Sequence, residues 1–269
     1  MMPATFATDI FADMPIVKPY ALMDLDDTLF QTQRKIEAWQ LPTQGLVTAT
    51  VNKQGEPLSF FTKKQAQFFA WLQHSTELIP VTARDTAEIL RVKLVFSSWQ
   101  VLSHGAVILT PHGQPLTTWQ QQMRTRLLPA QPPLQQIIAW LTRQQQEDWL
   151  VTPHYDYFGE DKLMIYVAVK HRHKSSQALT QLAASISNEF KDFNHHFYTH
   201  VNANNLAILP HVVDKKHAVH WLQLHHLDPQ RASFGFGDSL ADLGFLQQLD
   251  WYGTPKRGQL HDTISEAIL

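Results

Sequence analysis

Residues 18–30 read Lys18-Pro19-Tyr20-Ala21-Leu22-Met23-Asp24-Leu25-Asp26-Asp27-Thr28-Leu29-Phe30, an apolar run that ends abruptly in three carboxylates. Bounded by Pro19, such a run predicts a buried strand, and strand side chains alternate. Asp24 and Asp26 are therefore expected on the same side where the strand runs out. Two carboxylates in one small site repel unless a cation neutralises them or one keeps a proton. Either condition suits nucleophilic or acid/base chemistry. An acid-rich turn is the plain alternative, and the pattern Asp-x-Asp-x-Thr-Leu after a buried run argues against it.

The rest of the chain sets the frame for this stretch. Its 269 residues are 44% hydrophobic, enough for one large domain or two modest ones with a real core. With 22 basic and 24 acidic residues the formal charge is −2, and no extended basic run is present to neutralise nucleic-acid phosphates or anionic lipid. Small ligands are the expected partners, not nucleic acid or a membrane. Absence of cysteine excludes disulfides and thiolate metal sites. Residues 1–17 have neither a basic leader nor a continuous apolar segment, and no window approaches a membrane span, so a cytoplasmic protein is expected. The 15 histidines, several of them adjacent, read as exposed loop residues.

Downstream, Leu46–Val51 and Leu58–Phe61 flank the turn Asn52-Lys53-Gln54-Gly55 and predict a hairpin directly after the acidic stretch. Thr62 is placed to cap a helix with an apolar face of Ala66, Phe68, Phe69, Trp71 and Leu72. Glu77–Thr82 then reads as a short strand ending in a hydroxyl, with Asp85 and Glu88 spaced as a capping pair for a further helix. Two strands separated by Gly105 are expected between Trp99 and Leu109. From about 114 to 200 the order becomes helix, helix, strand, strand, helix, strand, with Pro129, Pro132 and Pro133 marking a break. Lysines follow at 215 and 216. Finally, Ala232–Asp242 combines a strand, close-approach glycines and the acids Asp238 and Asp242, four apart across a turn.

Asp24-Leu25-Asp26-Asp27-Thr28-Leu29 resembles the first motif of the haloacid dehalogenase superfamily of phosphotransferases. The strand ending in Thr82 resembles its second motif, and Gly237-Asp238-Ser239-x-x-Asp242 its fourth. Pro210–Val219 resembles the third, in which a lysine opens a helix near the phosphate; register favours Lys215, with Lys216 its competitor. Ser103-His104-Gly105-Ala106 is similar to the Ser-Asn-Gly-Ala segment of the Cof-like and sucrose-phosphate-phosphatase-like branches, with His104 in place of Asn. The resemblance implies an α/β fold: a Rossmann-like parallel sheet with helices on both faces, formed by 1–110 and 206–269, plus an inserted α+β cap domain at 111–205. Lys170, His171, Arg172 and His173 are candidate cap contacts to a leaving group. The hairpin corresponds to the family's flap, enlarged. Asp27 stands where many relatives carry Gly and is expected to be a turn residue at the foot of the long flap, with no phosphate or metal role.

By the same resemblance, Asp24 is the nucleophile that forms an aspartyl-phosphate, and Asp26 protonates the leaving alcohol and later activates water. Mg2+ is expected on the Asp24 carboxylate, the Asp26 main-chain carbonyl and Asp238. Thr82 and Lys215 hold phosphoryl oxygens, and Asp242 orients the lysine or a metal-bound water. The expected activity is a magnesium-dependent phosphatase acting on a small phosphomonoester, a sugar phosphate first. A phosphomutase of the phosphomannomutase type and a non-catalytic ligand-binding protein of the same fold are the alternatives.

Overall fold

The computed structural model describes residues 15–144 and 148–268. The leader-free reading of 1–17 therefore lies largely outside the described residues. In chain order the elements are β1 (Tyr20–Met23), β2 (Gln31–Thr32), α1 (Gln33–Ala38), β3 (Val47–Val51), β4 (Pro57–Phe61), α2 (Lys63–Ser75), β5 (Glu77–Pro80), α3 (Thr86–Ile89), β6 (Gln100–Leu102), β7 (Val107–Leu109) and α4 (Thr117–Leu127). They continue with α5 (Gln131–Arg143), β8 (Trp149–Phe158), β9 (Asp161–His171), α6 (Ser176–Glu189), α7 (Phe193–His196), β10 (Phe197–Asn202), β11 (Asn205–Pro210), α8 (Lys215–His225), β12 (Ser233–Phe236), α9 (Leu240–Leu246), β13 (Trp251–Gly253) and α10 (Gln259–Ile268).

All four residues of β1 are buried, as a strand covered on both faces requires. It lies inside a parallel sheet of order β13-β12-β1-β5. Phe234 and Phe236 of β12 meet Trp71 and Phe68 of α2. A Cβ on Gly235, between them, would stand 2.5 Å from the Leu249 side chain and 3.3 Å from that of Leu246 in α9. Because strand side chains alternate, α2 and α9 cover opposite faces of the sheet. Thr62 and Gln65 form the capping box that starts α2, and Asp85 and Glu88 form the one that starts α3.

The flap is a three-stranded sheet, β2-β4-β3, whose β3–β4 hairpin turns at Asn52–Gly55 as expected. It also captures the chain after α3. The Lys93 N–H donates to the Ala49 carbonyl at 2.7 Å, and the Val51 N–H to Arg91 at 3.0 Å. Those bonds compete with helix propagation, and α3 stops after one turn.

A second, antiparallel sheet of order β10-β11-β9-β8 carries α5 and α6 against Met164, Val167, Val169 and Ile208. Residues 206–209, expected to rejoin the parallel sheet, instead pair with β10 and β9. Leu206–Leu209 is fully buried, so its side chains read the same in either sheet; hydrogen-bond partners decide. We place the end of the insertion after Pro210 on that topology. Among the described residues no helix is long and apolar enough to cross a membrane.

Candidate active site

The four motifs converge at the carboxyl edge of the parallel sheet, the edge where such sheets bind ligands. Asp24 leaves β1 with its N–H bonded to the Phe236 carbonyl at 3.0 Å, and the Val81 N–H donates to Met23 at 2.8 Å. Thr82 is tied to the next strand by its N–H to Val101 at 2.9 Å. Asp24 is buried: Oδ2 accepts the Thr28 hydroxyl at 2.9 Å, and Oδ1 accepts Lys215 Nζ at 2.8 Å. Lys215 also donates to Asp242 Oδ1 at 2.6 Å, and Asp242 Oδ2 accepts the N–H and hydroxyl of Ser239 at 3.0 and 2.8 Å.

Lys215 opens α8 behind the cap Asp214 and turns inward, whereas Lys216 stays half-exposed on Asp214 at 3.0 Å. Helix register thus separates the two candidates. Close backbone approach makes the convergence possible. Gly105, at φ +93°, lies where a Cβ would stand 2.5 Å from the Asp214 carbonyl oxygen. A Cβ on Gly237 would stand 2.4 Å from Asp242 Cβ. Both glycines are sterically required.

Three carboxylates face one ammonium here. Burial, reinforced by Asp242 and opposed by Lys215, pushes Asp24 up to about 7. Asp238 rises to about 9 through burial and the charges of Asp24 and Asp242. Burial opposes the Lys215 charge, yet Asp24 and Asp242 outweigh it and hold its pKa above the usual lysine range. Asp24, Asp238 and Asp242 each offer an oxygen within 4.8 Å of the others, an all-oxygen set suited to a hard divalent cation. Asp242 already spends both oxygens, whereas the Asp238 carboxylate has no hydrogen-bond partner among the described residues. A bare buried carboxylate beside a second one fits Mg2+.

A thermal measurement tests that fit. Asp24 and Asp238 hold protons more tightly folded than their ordinary 3.8 allows, so cation-free protein loses stability as pH climbs from there towards about 9. A cation replaces those protons. At a fixed concentration a hundredfold above the Kd at pH 6, Mg2+ is expected to raise the melting temperature by roughly 5–10 °C at pH 6 and by more at pH 8.5, where fewer protons compete. An equal shift at both pH values contradicts the assignment.

Asp26 departs from the simple picture of paired acids. Its carboxylate lies outside the cluster and is gripped by Arg84, Nε to Oδ2 at 2.7 Å and Nη2 to Oδ1 at 2.7 Å. The Arg84 N–H also donates to Thr82 Oγ1 at 3.2 Å, leaving the threonine hydroxyl proton free. Arg84 was not assigned from sequence; its place two residues after Thr82, at a strand end, was the available signal. Thr28 was quoted without a role and proves to be a partner of Asp24. Replacing Arg84 with Lys, which lacks the bidentate fork, is expected to lower kcat about tenfold with a smaller change in KM. An effect on KM alone would assign Arg84 to substrate binding instead.

Asp27 lies in the turn between β1 and β2. It sits at φ +66°, a glycine-like conformation, and pairs with Lys35 of α1. Of the basic run at 170–173, Lys170 and His171 end β9 and Arg172 and His173 form the turn after it, where His171 Nδ1 accepts the N–H of His173 at 3.2 Å and of Ser175 at 3.3 Å. A cleft of about 670 Å³ opens beside Asp238 between Lys35 of α1 and Trp39 just after it, Asn202 at the end of β10 and Ala203 in the turn that follows, and Gly258. That volume suits a small molecule.

No family model and no curated protein sequence matches the chain. Solved structures do. The sucrose-phosphatase of Synechocystis sp. PCC6803, solved with sucrose and phosphate, matches at 15% identity over 93% of this chain and 96% of that one, with a TM-score of 0.51. TM0651 of Thermotoga maritima matches at 14% identity over 93% and 90%, with a TM-score of 0.57. A haloacid dehalogenase-like hydrolase from B. subtilis matches at 11% over 87% and 94%, with a TM-score of 0.50. The chain has the haloacid dehalogenase-like fold, a parallel-sheet core with an antiparallel cap sheet inserted.

Proposed function

We propose that the protein is a magnesium-dependent phosphatase that hydrolyses a small phosphomonoester through an aspartyl-phosphate on Asp24, with sugar phosphates as the leading substrate class. The observation that carries this reading is the buried Asp24 carboxylate, fixed by Thr28 and Lys215 beside the Asp238 carboxylate, which has no hydrogen-bond partner among the described residues. Two hydrogen bonds orient the nucleophile in advance, which removes an entropic part of the barrier.

An oxygen of Asp24 attacks phosphorus as the ester bond to the leaving oxygen breaks, and Asp26, which first exchanges one of its two Arg84 hydrogen bonds for a proton, gives that proton to the leaving oxygen. Asp26, now ionised and held by Arg84, takes a proton from water as the water attacks phosphorus. Inorganic phosphate leaves and Asp24 is restored. Lys215 and the Thr82 hydroxyl stabilise negative charge on the phosphoryl oxygens. Asp242 keeps Lys215 aimed and protonated. Mg2+ held by Asp24, Asp238 and the Asp26 carbonyl would supply the positive charge that lets a phosphate dianion approach these carboxylates.

The cleft volume supports a small substrate, and the Synechocystis protein's sucrose and phosphate support a carbohydrate leaving group. Purified protein with Mg2+ is expected to release inorganic phosphate from sugar phosphates and to stop when the cation is chelated. No release from any member of a phosphomonoester library would overturn the proposal.

A further inference from the structure

One strained residue links the proposed nucleophile to its hydroxyl partner. Asp27 stands at φ +66°, the left-handed region that suits glycine and costs a residue with a Cβ. Its N–H donates to the Phe30 carbonyl at 2.8 Å, and the Leu29 N–H donates to Leu25 at 2.9 Å. The tight turn they close delivers Thr28 Oγ1 to Asp24 Oδ2 at 2.9 Å and bridges the Asp26 backbone to Phe30. The conformation of Asp27 therefore bears on the orientation of the Asp24 carboxylate and on the direction in which Asp26 leaves the strand.

Such a conformation persists only where the surroundings enforce it. The Asp27 side chain is 12% exposed, and burial pushes its pKa upward against the charges of Lys35 and, more weakly, Arg34. Lys35 supplies the ion pair, its Nζ meeting Asp27 Oδ2 from a side chain that is 19% exposed. Helix α1 holds the ammonium in place. Ile36, the next residue, is fully buried, and Lys35 Nζ lies 5.3 Å from the ring centroid of Trp39. Directly before the helix, β2 is paired into the flap through Gln31 with Phe60 and Thr32 with Ser59. The flap thus grips the turn that carries the catalytic carboxylates.

We infer that Lys35 is a positioning residue for the phosphoryl transfer: its ion pair with Asp27 clamps the strained turn and so holds Thr28 and Asp26 where the reaction uses them. This inference rests on the phosphatase reading. Lys35 also walls the cleft beside Asp238, so direct contact with substrate is the competing role. The two roles respond differently to a second change. Removing the ammonium orphans a mostly buried carboxylate, and the turn gives it water by swinging outward, away from Asp24. Replacing Asp27 with glycine at the same time removes both the charge and the Cβ, so the turn keeps its shape without a clamp. A substrate contact made by Lys35 would stay lost.

Wild type, Lys35→Met and the double variant Lys35→Met with Asp27→Gly should be compared with Mg2+ on the best substrate of a phosphomonoester library, each with a melting curve. Methionine keeps an unbranched apolar stem against Trp39. Lys35→Met is expected to lower kcat about tenfold with KM changed less than about twofold, and the double variant to recover kcat to within about threefold of wild type. A single variant within about twofold of wild type, a loss confined to KM, or a kcat loss that glycine does not recover overturns the inference and leaves the phosphatase reading standing. A kcat loss that merely follows the folded fraction overturns it as well. Wild type that releases no phosphate from any member of the library overturns both.

Discussion

Asp24→Asn is expected to abolish phosphomonoester turnover, by on the order of 10⁴-fold or more, while leaving the protein folded. The amide is a poor nucleophile and a poor cation ligand, so both proposed roles go together. Stability should survive for a specific reason. Burial already pushes Asp24 up to about 7, so its charged form is costly in the folded protein and a neutral isostere relieves that cost. Lys215 keeps Asp242 as its counter-ion at 2.6 Å, so the ammonium is not orphaned. The checks are phosphate release and a melting curve on the same preparation. Retained turnover removes Asp24 as nucleophile. Loss of folding moves it into the structural core instead.

Asp26→Asn is expected to slow hydrolysis of an alkyl phosphate by roughly 10²–10⁴-fold, the usual contribution of a general acid. The loss should be smaller in the first step of p-nitrophenyl phosphate cleavage, because nitrophenolate departs without a proton. Asparagine still offers an oxygen to Arg84, so that pair is weakened, not abandoned. Measuring the initial burst of nitrophenol separates the two steps. Equal losses for both substrates would show that Asp26 acts in positioning or dephosphorylation alone.

Sequence patterning carried much of this site because its signals are local. A buried strand ending in Asp24-x-Asp26, a strand ending at Thr82 and a Gly-Asp turn at Asp238 each reveal a strand end with chemistry on it. Arg84 sits at a legible strand end, but its partner Asp26 lies 58 residues earlier, so the pair could not be read locally. Lys35 was silent for the same reason, since nothing near it in sequence announces Asp27. The strand at 206–209 misled because a fully buried run has no polar face to betray which sheet it joins.

Local chemistry, then, determined the element types, the acids at the strand ends and the insertion between motifs. Tertiary structure alone decided their partners. It separated Lys215 from Lys216 by the way α8 docks against Gly105, handed Asp26 to Arg84, and left the Asp238 carboxylate without a partner among the described residues. The physical reason is range. Propensity and alternation are fixed by a residue and its neighbours, whereas a carboxylate's pKa and partners depend on which distant backbone comes within a few ångströms of it.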